Sequence, residues 1–132
     1  MSKRDSGRRI RTMISCVTFE TAKIVEPVKF YHADKVHLIH YLKQDAPKDK
    51  TALYSEFLDE VCSQINGIGN VEIVKHNEKI NDFSEMLRTV LHIISTGEDE
   101  EFYINVSAGS SVYTAAAVIA SMMMPGTVPF HV

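Results

Sequence analysis

The chain has 132 residues, 45% of them apolar and 23% charged, with six Gly and four Pro. That is enough for one domain with a real core, and it excludes a disordered, low-complexity or collagen-like chain. The formal charge of −3 hides an asymmetry. Residues 1–12 hold Lys3, Arg4, Arg8, Arg9 and Arg11 against Asp5 alone, a net of +4 that leaves −7 on the rest. An acidic body grips a nucleic-acid backbone poorly. Residues 1–12 are expected to form a basic, flexible, solvated arm, and residues 13–132 the domain.

No apolar segment follows the charged start. The longest apolar run, Ala115 to Met124, is too short to cross a bilayer and contains Ser121. No membrane partner is expected, and the expected location is cytoplasmic. Cys16 and Cys62 make no CxxC pair, so two buried free thiols in a reducing compartment are expected rather than a zinc site.

In chain order, Met13 to Val17 reads as a buried strand, followed by a polar turn at Thr18-Phe19-Glu20-Thr21. Residues 22–32 carry helical spacing, which Pro27 either kinks or begins. Val36 to Leu42 is a second strand, and 43–50 a charged loop. Leu53, Phe57, Leu58, Val61 and Ile65 step by three or four, the mark of an amphipathic helix ended by Gly67 and Gly69. Val71 to Val74 is a third strand. Asn81 or Asp82 caps a helix with Glu85 as box partner, a face of Phe83, Leu87, Val90, Leu91 and Ile94, and a stop at Gly97. Glu98 to Glu101 reads as a solvated acidic turn and Phe102 to Val106 as a fourth strand. Residues 112–124 are apolar nearly all round, which predicts a buried helix with Met122 to Met124 in the core. Val128 to Val132 is a fifth strand.

Strict alternation with short loops predicts an α/β fold: a Rossmann-like three-layer sandwich with a mostly parallel five- or six-stranded sheet in the order 3-2-1-4-5. Strands one and four then meet at the topological switch point, outside whose carboxyl ends ligands bind. The turns Thr18-Phe19-Glu20 and Ser107 to Ser111 therefore converge on one crevice.

Around Asn105-Val106-Ser107-Ala108-Gly109-Ser110-Ser111, small side chains let main-chain amides approach a ligand, and a helix start favours an anion. A phosphate or ribose edge suits this turn; a plain Ser cap on a buried helix suits it equally. It is neither a Walker A loop nor a GxGxxG fingerprint. Glu20 could accept from a ribose or adenine, or play a structural part by pairing with Lys23 or serving the first turn of its helix; the structural part is favoured on spacing alone. His37 and His40 face opposite sides of their strand, and His32, His76, His92 and His131 show no chelating spacing, so no metal is expected. No GxSxG elbow or triad spacing is present, so no catalytic residue is assigned. Lys75-His76-Asn77 after strand three lacks the phosphoacceptor Asp of a receiver domain, and a flavin site finds no support.

Several segments resemble archaeal regulators with a CRISPR-associated Rossmann-fold (CARF) sensor domain. They are Thr18-Phe19-Glu20 after strand one, Ile24-Val25-Glu26-Pro27-Val28, Ala33 to Ile39, Tyr103 to Ser111, the Ala-rich helix with Met122 to Met124, and Pro129-Phe130-His131-Val132. The resemblance spans about residues 13–132. It implies a homodimer whose crevices join across the two-fold axis, and a cyclic oligoadenylate as ligand with no further cofactor. Thr18, Phe19 and Glu20 would line the ring, and Asn105, Ser107, Ala108, Gly109, Ser110 and Ser111 would hold phosphates and riboses. The implied role is transcription regulation, or control of another effector, in antiviral defence; the alternative is a metal-independent ring nuclease in the same crevice. Two departures stand out. The Lys or Arg frequent in the second motif is absent near Ser111 and Val112. The winged-helix DNA-binding domain of those regulators also has no counterpart here, so DNA contact is expected only through such a domain elsewhere or weakly through the basic arm.

Overall fold

The computed structural model describes residues 9–41 and 48–132, with side chains described for all of these except 48–54. The chain alternates β1 (Ile10–Cys16), α1 (Ala22–Phe30), β2 (Lys35–His40), α2 (Lys48–Ile68), β3 (Glu72–Asn77), α3 (Phe83–Thr96), β4 (Glu100–Asn105), α4 (Ser111–Met123) and β5 (Thr127–Phe130). The five strands pair in parallel in the order β3-β2-β1-β4-β5, as the alternation predicts.

Two cores fill the sandwich. On one face Met13, Val36 and Leu38 of the sheet pack under Ile24, Val25 and Val28 of α1 and Leu58, Val61 and Ile65 of α2. On the other, Ile14, Ile39, Phe102 and Ile104 pack under Met86, Val90 and Ile93 of α3 and Tyr113, Ala116, Ala117 and Ala120 of α4. Each buried Val, Leu, Ile, Met or Phe among these contributes about 1.5–3 kcal/mol of transfer free energy. The small faces of α4 let it lie close to the sheet.

Besides shifts at element ends, where β3 runs on to Asn77 and takes in the Lys75-His76-Asn77 expected after it, and α2 continues through Gly67 to Ile68, four expectations change. First, β1 begins at Ile10, three residues before the predicted strand, so the end of the basic arm is sheet. The physical reason is charge pairing in register: Ile10 and Arg11 sit opposite Glu100 and Glu101. The Arg11 guanidinium lies 4.0 Å from the Glu101 carboxylate, and Arg9 donates to the Glu100 carbonyl at 2.9 Å. Residues 1–8 and most of the predicted 43–50 loop lie outside the described residues. Second, the same pairing draws Glu100 and Glu101 out of the predicted turn into β4, where Glu100 accepts from Thr12 and pairs with Lys35 at 3.4 Å. Third, α3 turns further round than its spacing suggests: Phe83 is exposed, and Met86 and Ile93 join Val90 and Ile94 inside.

The fourth change concerns α4. Apolar all-round composition predicts full burial, yet only one side of the helix meets the sheet. Val118 and Ile119 face outward, and Met122 and Met123 are 79% and 56% exposed. Met122 and Met123 are therefore surface residues, while Met124 packs partly against the core. The predicted thiols are both free, Cys16 buried and Cys62 half-buried.

Candidate functional site

The carboxyl ends of β1 and β4 lie side by side, and the two polar turns that follow them open α1 and α4. In the first turn, the Thr18 hydroxyl accepts from the Glu20 main-chain amide at 2.9 Å, a local loop closure typical of Ser and Thr. Phe19 projects outward, half exposed, with its ring centroid 4.9 Å from that of Phe57 on α2. Glu20 pairs with Lys23 at 3.2 Å, with much of both side chains in solvent. The pairing with Lys23 that the spacing favours for Glu20 is present. Thr21 stands at the N-cap of α1, whose first turn contains no acidic residue.

The second turn is built from behind by Asn105, which is completely buried. Its amide oxygen accepts from the Ser107 main-chain amide at 3.0 Å and from the Ser107 hydroxyl at 2.9 Å. Its amide nitrogen donates to the Lys23 carbonyl at 2.8 Å. That carbonyl is available because Pro27 lies inside α1 four residues later and has no N–H to return to it. Proline opens a main-chain acceptor, and Asn105 fills it from the neighbouring turn. The two turns are thereby tied together beneath the crevice.

Ala108 is also buried, in the α1 side of the core, so only its main chain is offered to the crevice. Gly109 is exposed and adopts φ +113°; a Cβ there would lie 2.5 Å from the Cβ of Cys16. Glycine is required both for the backbone conformation and for the close approach to β1. The Ser110 hydroxyl accepts from the Tyr113 amide at 3.0 Å as the cap of α4, and donates to the Ile80 carbonyl at 2.6 Å. The cap reading of Ser110 thus holds in the structure, and the same hydroxyl fastens the β3–α3 loop to the crevice. Ser111 is exposed at the start of α4, whose first turn again lacks an acidic residue. The Ser111 and Val112 main-chain amides meet no acceptor among the described residues, as expected for the first helical positions. Ser107, half-buried, also accepts from the Val132 amide at 3.1 Å.

The structure therefore brings all nine predicted residues to one edge of the sheet. Thr18, Phe19, Glu20, Ser107, Gly109 and Ser111 reach its surface, whereas Asn105, Ala108 and Ser110 shape it from within. Sequence reasoning misses three supports. Cys16 lies under Gly109; burial pushes its thiol up to about 11, with the Ser110 N–H beside it pulling the other way. Tyr113, fully buried, shares its single hydroxyl proton between the Asn105 carbonyl at 3.1 Å and the Ile14 carbonyl at 3.4 Å. Lys23 has a second tie besides its pairing with Glu20; the signal for it is the Pro four residues on, which leaves the Lys23 carbonyl without a helical donor.

Away from this edge, His37 of β2 and His76 of β3 meet across the strands, Nδ1 to Nε2 at 2.8 Å. No group of three or more His, Cys, Asp or Glu side chains among the described residues is placed to hold a metal ion. A groove of about 320 Å³ lies between α1 and the end of β5, lined by the apolar Pro27, Phe30, Phe130 and Val132 together with Glu26, Tyr31 and His131. No helix among the described residues is long and apolar enough to cross a membrane.

Comparison with known proteins agrees with this architecture. No curated protein sequence matches the chain. Among solved structures, Enterococcus italicus Csm6 bound to cyclic hexa-2'-fluoro-hexa-dAMP superposes with a TM-score of 0.70 at 14% identity, covering 95% of this chain and 34% of that one. Can2 from Sulfobacillus thermosulfidooxidans in complex with cyclic tetra-adenylate superposes with a TM-score of 0.63 at 17% identity, covering 86% of this chain and 29% of that one. The chain thus spans about a third of the length of either neighbour. These are likenesses of fold, and they agree with the Rossmann-like α/β architecture of this chain. The family model described as "HFX_2341_N:-like, N-terminal" matches residues 11–132, nearly the whole chain, and the protein belongs to that family.

Proposed function

We propose that this chain is a sensing domain that binds a cyclic oligoadenylate in the crevice between Thr18–Glu20 and Asn105–Ser111, within the antiviral CRISPR response. The observation that carries the reading is the convergence of two short polar turns at the switch point. Each opens a helix with no acidic residue in its first turn, so two helix starts favour an anion at one place. The fold likeness to Csm6 and Can2, each solved with a cyclic oligonucleotide, supports the choice of ligand. In this reading Ser107, Gly109 and Ser111 meet phosphates and riboses, and Thr18 and Phe19 line the ring. Asn105, Ala108 and Ser110 hold the turn in shape.

The protein acts as a homodimer in the cytoplasm. The outward stripe Val118, Ile119, Met122 and Met123 supports this, because α4 starts at the second turn. Pairing two such stripes about a two-fold axis sets two crevices side by side, and a ring of even symmetry then meets the same patch twice. Occupancy of the crevice controls transcription or another effector. Contact with DNA is left to a winged-helix domain of a longer chain, or weakly to the basic arm.

Calorimetric titration of the folded protein with cyclic tetra- and hexa-adenylate tests the proposal. Binding at micromolar concentration or tighter by one ring is expected, and no heat with either ring refutes it. Chromatography of the same mixtures distinguishes a sensor, which returns the ring intact, from a ring nuclease, which returns linear products.

A further inference from the structure

The crevice has an electrostatic problem. Residues 13–132 carry an excess of acidic groups, and the sequence contains no Lys or Arg after Arg88. The whole second turn and α4 are therefore without a cation. Main-chain amides and hydroxyls alone must hold a phosphate there against the field of the domain.

We infer that Lys23 is the cation of this crevice, stored on Glu20 while the site is empty and transferred to a phosphate of the ligand on binding. The inference rests on the reading of the crevice as a phosphate-bearing ligand's site, and three observations lead to it. The Asn105 amide holds the Lys23 carbonyl at 2.8 Å, which fixes the root of this side chain against the turn that lacks a charge. The ammonium lies 3.2 Å from the Glu20 carboxylate, and Glu20 itself is largely in solvent. An exposed pair of this kind is held weakly and exchanges readily for a better acceptor. Finally, a Lys head is a point charge with three rotatable donors on a long stem, so it reorients from carboxylate to phosphate without main-chain movement. Glu20 is then a competitor of the ligand, not a contact to its ribose.

The two residues consequently shift affinity in opposite directions. For cyclic tetra- or hexa-adenylate, Lys23→Gln weakens binding by about tenfold or more, as loss of a hydrogen bond to a charged group does. Glu20→Gln tightens it roughly two- to fivefold, the value of an exposed ion pair released. The salt dependence of the affinity becomes shallower in Lys23→Gln, which a merely structural role would not produce. Lys79, the residue before the Ile80 whose carbonyl Ser110 holds, is another candidate, and Lys79→Gln is the control, expected to stay within about twofold of the parent.

Titrations of the parent and the three variants with both rings, and in parallel with inorganic pyrophosphate, separate the role of Lys23 from the identity of the ligand. Binding of a ring that Lys23→Gln leaves unchanged, or that Glu20→Gln weakens, overturns the role of Lys23 and keeps the ring as ligand. Binding of pyrophosphate that depends on Lys23, with no ring bound, keeps the role of Lys23 and overturns the ring. Loss of affinity in Lys79→Gln but not in Lys23→Gln overturns the inference, and failure of the parent to bind any of the three anions overturns both.

Discussion

The pairing of Pro27 with Asn105 makes a quantitative prediction. Asn105→Ala removes three hydrogen bonds, two with Ser107 and one to the Lys23 carbonyl, from a fully buried position. At about 1 kcal/mol net for each bond, and more for groups left buried without a partner, the loss is about 3–5 kcal/mol. Part of that loss exists only because Pro27 cannot supply the helical N–H. In a Pro27→Ala background the new residue has an N–H positioned to reach the Lys23 carbonyl, so Asn105→Ala orphans the Ser107 groups alone. The cost of Asn105→Ala should therefore fall by about 1–2 kcal/mol in that background, the share of one buried acceptor. The assay is a double-mutant cycle by urea unfolding of the four proteins. The cavity left by the proline ring appears on both sides of the cycle and cancels. A coupling energy within the usual scatter of independent sites, roughly 0.3–0.5 kcal/mol, would refute the reasoning, because it would mean that the Lys23 carbonyl does not depend on Asn105.

Two further predictions concern backbone and charge. Gly109→Ala should lower the unfolding midpoint: φ +113° costs an L residue on the order of 1–3 kcal/mol, and the added methyl overlaps the Cβ and sulfur of Cys16; an unchanged midpoint would sink the close-approach argument. Acidification should destabilise the fold through His37. Burial first, then the charges of His76 and Lys35, push it from 6.5 down to about 4, so the unfolded chain takes up the proton more readily. The stabilising effect is complete above pH 6.5 and is lost as the pH falls toward 4. Melting temperatures across that window should drop in the parent and drop less in His37→Gln, and parallel curves would count against it.

Much of this is legible in the sequence because it depends on pattern. Alternation of strand and helix, with right-handed crossovers, leaves the order 3-2-1-4-5, and that order alone brings residues 18–20 and 105–111 together. What escapes depends on partners distant in sequence. Arg11 and Glu101 are strand residues because they stand beside each other in register, which neither segment reveals alone. The apolar composition of α4 gives its affinity for a core but not the number of faces offered one, so Val118 and Met122 are expected inside and lie outside. His37 and His76 show no chelating spacing along the chain; they meet because β2 and β3 are adjacent. Asn105 reads as a ligand contact because its neighbours do, while its burial follows from a proline in another element.

Tyr113 gives the crevice a stiff floor. One phenol hydroxyl, buried under α4, bridges carbonyls near the carboxyl ends of two adjacent strands, Ile14 of β1 and Asn105 of β4. The strands cannot spread without breaking it in an interior where no water replaces the bond. Adjustment to an occupant is therefore confined to the two turns above, whose side chains stand at the surface. The part of the crevice that an occupant would have to order is small and the part that sets the spacing is ordered beforehand, which keeps the conformational entropy cost of filling it low.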